Sequence, residues 1–167
     1  KKAGTGCKIR ISEHIRWFRY ECDHNNMGKG DIMSEYKKPL PAVQPWSEEF
    51  WKAAKQHKLL IQKCKECQTK IFYPRKFCPE CWSPNLGWIE ASGKGTVAKF
   101  TVMMDQVLPA FWEDLPYVLA YVDLEEGIRM MTRIVGCKPE EVTFDMDVEV
   151  VFEDITDDFS LPFFRPV

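Results

Sequence analysis

The chain has 167 residues, 45% hydrophobic and 29% charged, with a formal net charge of −2; this is an ordinary globular composition, long enough for one domain or two small ones. No apolar run approaches the roughly 20 residues of a membrane-spanning helix, and the N-terminus lacks a signal peptide's apolar centre, so no membrane and a cytoplasmic location are expected. Residues 1–32 carry seven Lys/Arg against four Asp/Glu, and residues 33–167 carry sixteen against twenty-one. The body is therefore acidic, which argues against nucleic acid as a partner.

The chain begins with a segment that ends where Met33-Ser34-Glu35 reads as a natural start, leaving residues 1–32 as a tag, a misread start or an extension. Within it Ile11, Ile15, Phe18 and Cys22 share one face of a short amphipathic helix. Cys7, His14, Cys22 and His24 have no usual ligand spacing and read as incidental. Three prolines between Pro39 and Pro45 predict an extended linker, closing an N-terminal region over 1–45. A helix comes next over 46–58, with Ser47 as its cap and Glu48 and Glu49 in the first turn. Phe50, Trp51 and Ala54 carry it forward, and Phe50, Ala54 and His57 share one face, which packs on its own domain or meets a partner protein or an acyl chain.

A strand from Leu59 to Lys63 leads into Cys64-Lys65-Glu66-Cys67, and ten residues later stands Cys78-Pro79-Glu80-Cys81. Each C-x-x-C turn aims two thiolates at one point, and two such turns close a tetrahedron with no position open for water. The motif predicts a structural metal site in a ribbon over 59–88. Cys64, Cys67, Cys78 and Cys81 are its ligands and one zinc ion is the expected metal. Rubredoxin-type iron is the alternative, and it prefers glycine where Gln68 and Trp82 stand. Seven cysteines, four in close pairs and Cys7, Cys22 and Cys137 scattered, suit a metal rather than a disulfide framework. Between the knuckles, Tyr73, Arg75 and Lys76 either grip phosphates and stack an adenine or only solvate the ribbon. Trp82 and Trp88 read as packing between the ribbon and the C-terminal domain.

Beyond the ribbon, over 89–167, short strands alternate with turn signals. Candidates are 87–90, 95–104, 117–124, 128–135 and 148–153, with a hairpin at Glu125-Glu126-Gly127 and one helical turn at 138–142. Glu125 and Glu126 read as a solvated hairpin tip. Five such strands predict a small Greek-key barrel of the oligonucleotide/oligosaccharide-binding (OB) type. The fold class is thus mainly β: a rubredoxin-like zinc ribbon followed by a five-stranded OB-fold barrel, with one or two N-terminal helices. The loop 106–115 carries Leu108, Phe111, Trp112 and Leu115, more apolar weight than an exposed loop usually has. No Ser-His-Asp set, Gly-rich phosphate loop or H-E-x-x-H is present, and His14, His24 and His57 all precede the barrel. No catalytic residue is assigned. Cys137 reads as a buried small hydrophobe.

From Pro45 to its end the chain resembles the domain of unknown function 35 (DUF35) family. The resemblance rests on Phe50-Trp51, on 59–67, on Tyr73-Pro74-Arg75 before the second knuckle, on the run from Pro116 to Gly127, and on the closing Leu161-Pro162-Phe163-Phe164-Arg165-Pro166. It implies a noncatalytic accessory protein that holds CoA or acyl-CoA beside a thiolase-like enzyme. Arg75 and Lys76 would then contact CoA phosphates, and Phe50, Trp51, Phe111 and Trp112 would offer surface to an acyl chain or the partner. Single-stranded nucleic-acid binding and iron electron transfer are the competing functions. The sequence departs from the family pattern at Asp145, where glycine is common, which puts the local turn geometry in question.

Overall fold

A computed structural model of the chain describes residues 36–167. The expectations for the segment before Met33, including its helix, cysteines and histidines, lie outside the described residues.

Helix α1 (Glu48–Lys55) opens the described fold. Ser47 precedes it as expected, but its hydroxyl does not reach into the helix. It donates to the Gln44 carbonyl at 3.1 Å and accepts the Gln44 N–H at 3.0 Å, closing the turn that brings the linker in. The helix is held by packing: Phe50, Ala53 and Ala54 are buried, and Lys52 pairs with Glu48 and Glu49 on the outer side.

Strands β1 (Leu60–Cys64), β2 (Lys70–Ile71) and β3 (Leu86–Glu90) form an antiparallel sheet in the order β2-β1-β3. Its own core is small, with Cys64, Ile71 and Cys78 buried and Leu86 against them. Strands β4 (Lys94–Met103), β5 (Tyr117–Leu124), β6 (Arg129–Ile134), β7 (Asp147–Asp154) and β8 (Ser160–Pro166) close a barrel in the order β4-β5-β6-β8-β7. Residues 87–90, expected from sequence among the barrel strands, instead complete the ribbon: Ile61 pairs with Ile89 and Gln62 with Trp88.

The fifth barrel strand is β8, which its prolines hide in the sequence. Val135 N–H donates to the Phe164 carbonyl at 2.8 Å, so residues of that parity turn their backbone toward β6. The β6–β8 ladder registers only Ile134 with Phe164, while the β7–β8 ladder is continuous. The missing N–H groups of Pro162 and Pro166 therefore fall on the sparsely paired edge, where proline is tolerated.

The main core fills the barrel with Val97, Val118, Ala120, Val122, Leu124, Met130, Ile134, Val148 and Phe164, all nearly inaccessible, and runs out through Leu59 and Ile61 to Phe50. The hairpin turns at Gly127, φ 75°, and a 3-10 turn covers Pro139–Glu141, both as expected. Asp145 stands at φ 59°, in the left-handed region where glycine costs least and where aspartate is tolerated better than most residues.

Trp88 packs against the main core, but Trp82 is 76% exposed and docks nothing. Its place one residue past Cys81, at φ 59°, turns it outward. Glu126 is likewise not a free tip: its carboxylate accepts the Ser92 N–H at 2.6 Å and its carbonyl accepts the Lys70 ammonium, tying hairpin to ribbon. Cys137 is half-buried against the core, and burial followed by the Glu141 charge pushes its thiol above the ordinary value.

Candidate functional site

The four ribbon cysteines converge. Their sulfurs all lie within 4.8 Å of one another, with Cys64–Cys81 at 3.6 Å and Cys67–Cys78 at 3.4 Å. Four sulfurs about 2.3 Å from one tetrahedral ion stand about 3.8 Å apart, so the cluster is already close to the spacing a bound metal needs.

The two knuckles repeat one backbone pattern. Cys64 N–H donates to Thr69 O and Cys78 N–H to Ser83 O, both at 2.9 Å; Gln68 and Trp82 N–H return to the Cys64 and Cys78 carbonyls at 3.1 and 3.0 Å. This turn requires a left-handed residue after each second cysteine, and Gln68 (φ 63°) and Trp82 (φ 59°) supply it. Glycine would do so with less strain. Thr69, by its hydroxyl and then its backbone, holds the Cys67 thiol down to about 6. The Ser83 backbone pulls Cys81 the same way, but hydrogen bonding with Cys67, burial and the other two cysteines leave it pushed up to about 12. A divalent cation bound here would displace the protons of the coordinating thiols. A closed four-thiolate site supplies folding rather than Lewis acidity.

A second feature is a cleft of about 710 Å³ on the outer face of β5 and β6. Alternation along the strands places Val118, Ala120 and Val122 inward and Tyr117, Leu119 and Tyr121 outward; Met130 and Thr132 turn in while Arg129, Met131 and Arg133 turn out. Trp51 of α1, Phe72 and Tyr73 of the ribbon, and Phe111 of the 3-10 turn Pro109–Asp114 complete the walls. Trp51 Nε1 donates to the Tyr73 hydroxyl at 2.9 Å, fixing helix to ribbon there.

At one end sits an ion cluster. Asp114 accepts from Lys38 at 2.8 Å and from Arg133 Nη1 at 2.9 Å, all three groups being largely covered. Burial alone would raise the Asp114 carboxyl, but the hydrogen bonds from Lys38 and Arg133 outweigh it and hold it below its ordinary value. Lys38 belongs to the proline-flanked linker, which is thereby pinned to the barrel.

Of the residues expected from sequence, the four cysteines meet at one point, and Tyr73, Trp51 and Phe111 meet in the cleft. Phe50 also touches the cleft, but only at its floor: it is 1% exposed and the hub of edge-to-face contacts with Trp51, Phe72 and Tyr73. Trp112 is 61% exposed and does not line the cleft. Arg75 and Lys76 are exposed on the ribbon and are not among the lining residues. Gln62, buried in β1, positions this finger by accepting the Arg75 N–H at 2.7 Å.

Sequence reasoning missed Lys38, Asp114, Tyr117, Tyr121, Met131 and Arg133. One signal was present: β5 is apolar on both parities through Tyr121, which an ordinary solvent-facing barrel strand is not.

These features define a cysteine-ribbon protein with an OB barrel, and comparison with known proteins agrees. Residues 51–87 match the ChsH2 rubredoxin-like zinc ribbon domain and residues 88–153 the ChsH2 C-terminal OB-fold domain. A DUF35 domain-containing scaffold protein of Methanocaldococcus jannaschii is 41% identical over 111 residues, 65% of this chain and 77% of that one. A probable enoyl-CoA hydratase alpha subunit of Thermomonospora curvata is 36% identical over 129 residues, 77% of this chain; the chain spans 40% of that protein's length. The benzoylsuccinyl-CoA thiolase subunit BbsA of Geobacter metallireducens is 31% identical over 88 residues, 53% of this chain and 56% of that one. Among solved structures, the Ltp2-ChsH2(DUF35) aldolase aligns with TM-score 0.68 and 36% identity over 76% of this chain and 98% of that one. The chain belongs to the DUF35 family.

Proposed function

We propose that this protein is a noncatalytic accessory scaffold, with one structural zinc ion held by Cys64, Cys67, Cys78 and Cys81, that binds acyl-CoA and assembles with a thiolase-superfamily enzyme. The observation that carries the ligand half is the cleft: a volume within the range of small-molecule sites, walled by aromatic rings, with cations at its edge. Trp51, Tyr73 and Phe111 give apolar surface to the acyl end, and Arg75 and Lys76 on the ribbon meet the CoA phosphates. Relatives named as a scaffold, a thiolase subunit and part of an aldolase support the partner half.

Calorimetry with CoA and with dodecanoyl-CoA, on the protein alone and mixed with a thiolase-superfamily enzyme from the same source, tests this. Binding of the acyl thioester in either setting is expected, and heat in neither removes the ligand half. Failure of the two proteins to co-elute removes the partner half. Oligonucleotide binding competes for the same barrel face, since OB barrels use their second and third strands for it. Residues 89–167 carry six Lys/Arg against sixteen Asp/Glu, and that field opposes a polyanion. A colourless protein containing one zinc per chain excludes the iron ribbon.

A further inference from the structure

Gln68 and Trp82 occupy equivalent places, each one residue past the second cysteine of its knuckle and each in the left-handed region, at φ 63° and 59°. That backbone is costly for a bulky side chain, and such strain concentrates where a residue has a task. Gln68 is explained locally: its side-chain amide donates to the Lys65 carbonyl at 2.9 Å and closes its own knuckle. Trp82 has no counterpart to that bond. Among the described residues its indole meets no acceptor and no aromatic ring, and of the large apolar side chains only the terminal Val167 is more exposed than its 76%. Two costs thus fall on one residue, backbone strain and an open indole. The turn that presents it is well fixed, by the Trp82 N–H bond to the Cys78 carbonyl at 3.0 Å and by the convergence of the four sulfurs. A tryptophan held open on a rigid turn has the character of an interface anchor.

Charge selects the kind of protein it meets. Glu66 and Glu80, at matching places in the two knuckles, are exposed and form no ion pair among the described residues. Four thiolates around a divalent ion would add a net charge of about −2 beside them. A second copy of this chain offers the wrong surface, because its residues 89–167 carry six Lys/Arg against sixteen Asp/Glu. Resting on the accessory-subunit reading, we infer that the second knuckle is a docking point for the partner enzyme, with Trp82 seated in an apolar pocket of that enzyme whose rim carries Lys or Arg. Trp82 does not line the cleft, so the cleft holds the ligand and the knuckle holds the enzyme.

The test titrates the full zinc-loaded chain against a thiolase-superfamily enzyme from the same source, beside Trp82→Gln, Trp82→Gly and Glu80→Lys. Glutamine copies the residue that the first knuckle already accommodates, and glycine relieves the strain, so both variants are expected to fold. Each should weaken association by about thirty-fold or more, the scale of an interface hot spot. Zinc retention against a chelator should be unchanged or stronger, and dodecanoyl-CoA binding by the chain alone should be unchanged. Glu80→Lys should weaken association about threefold at low salt, a difference that closes at high salt. Undiminished association of both Trp82 variants would overturn the proposal and leave the partnership intact. Weaker association accompanied by lost zinc would also overturn it, reducing Trp82 to support for the metal site. Self-association of the unaltered chain, seen by light scattering and lost in Trp82→Gln, would assign the knuckle to a second copy instead. Tighter association of Glu80→Lys would overturn the basic rim. No association of the unaltered chain would overturn the partner reading itself.

Discussion

The ribbon and the barrel are stabilised by different means. The ribbon, residues 60–90 from the start of β1 to the end of β3, has five Lys/Arg against three Asp/Glu and almost no core of its own; four sulfurs stand in for one. The barrel has a full apolar interior and a strongly acidic exterior, needs no metal, and closes on itself. A small sheet with a single long ladder and a two-residue strand cannot bury enough apolar surface to offset the entropy of ordering, so its fold is bound up with cation binding. The barrel draws instead on apolar residues brought together from all five strands. The cleft forms at the seam, where α1, the ribbon finger and β5–β6 meet.

The sharpest way to break that comparison is Cys78→Ser. Metal sites of this kind are worth roughly 10 to 16 kcal/mol in comparable peptides. Zinc content should fall from one per chain to near zero, and ribbon amides should lose hydrogen-exchange protection while those of β5 and β6 keep theirs. Loss of both sets together would show one cooperative unit rather than two. Phe164→Ala attacks the other side. Phe164 is fully buried, so about 3 to 5 kcal/mol should be lost in urea unfolding, with the zinc retained in the native baseline.

Gly95→Ala tests barrel closure at lower cost. A Cβ there would stand 2.5 Å from the Asp123 carbonyl oxygen, a backbone atom that cannot simply swing aside. About 1 to 3 kcal/mol of destabilisation is expected by the same measurement.

The seam itself is sensitive to acid. Asp154 accepts from the Ser160 hydroxyl, from His57 and from Lys55 at 3.2 Å, in that order of influence, and its carboxyl is held down to about 2. A folded value below the ordinary carboxylate value of about 3.9 means that its contribution is present above about pH 4 and lost as pH falls toward 2. The difference in melting temperature between the unaltered protein and Asp154→Asn should be steady from pH 5 to 7 and close below pH 4. A gap that widened on acidification would contradict the assignment. The smallest expected effect is at Trp82. Replacing this exposed left-handed residue by glycine should strengthen zinc retention against a chelator by about 1 kcal/mol.

The metal set was legible because it is local: each knuckle is four residues, and no distant partner is needed to see what the thiols can do. The existence of β5 and β6 was legible too, but their inward and outward parities were not, because β5 is apolar on both faces through Tyr121, and Met130 and Met131 stand side by side in β6. The ion cluster was not. Lys38 and Asp114 lie 76 positions apart and Asp114 and Arg133 lie 19 apart, and nothing in either neighbourhood signals the other. Strand β8 was obscured by prolines whose harmlessness depends on which edge they face, and that is decided by how few hydrogen bonds β6 offers it.

By itself, then, the sequence determined a four-cysteine metal ribbon ahead of a five-stranded barrel, since ligand spacing and strand alternation are properties of short stretches of chain. The tertiary structure decided which apolar residues are core and which are wall. Phe50 and Trp51 are adjacent in sequence, yet Phe50 is 1% exposed among Trp51, Phe72 and Tyr73 at the floor of the cleft, while Trp51 is only partly buried in its wall. Burial is set by what arrives from distant strands, and the Asp114–Arg133 pair likewise forms only once the chain has closed around it.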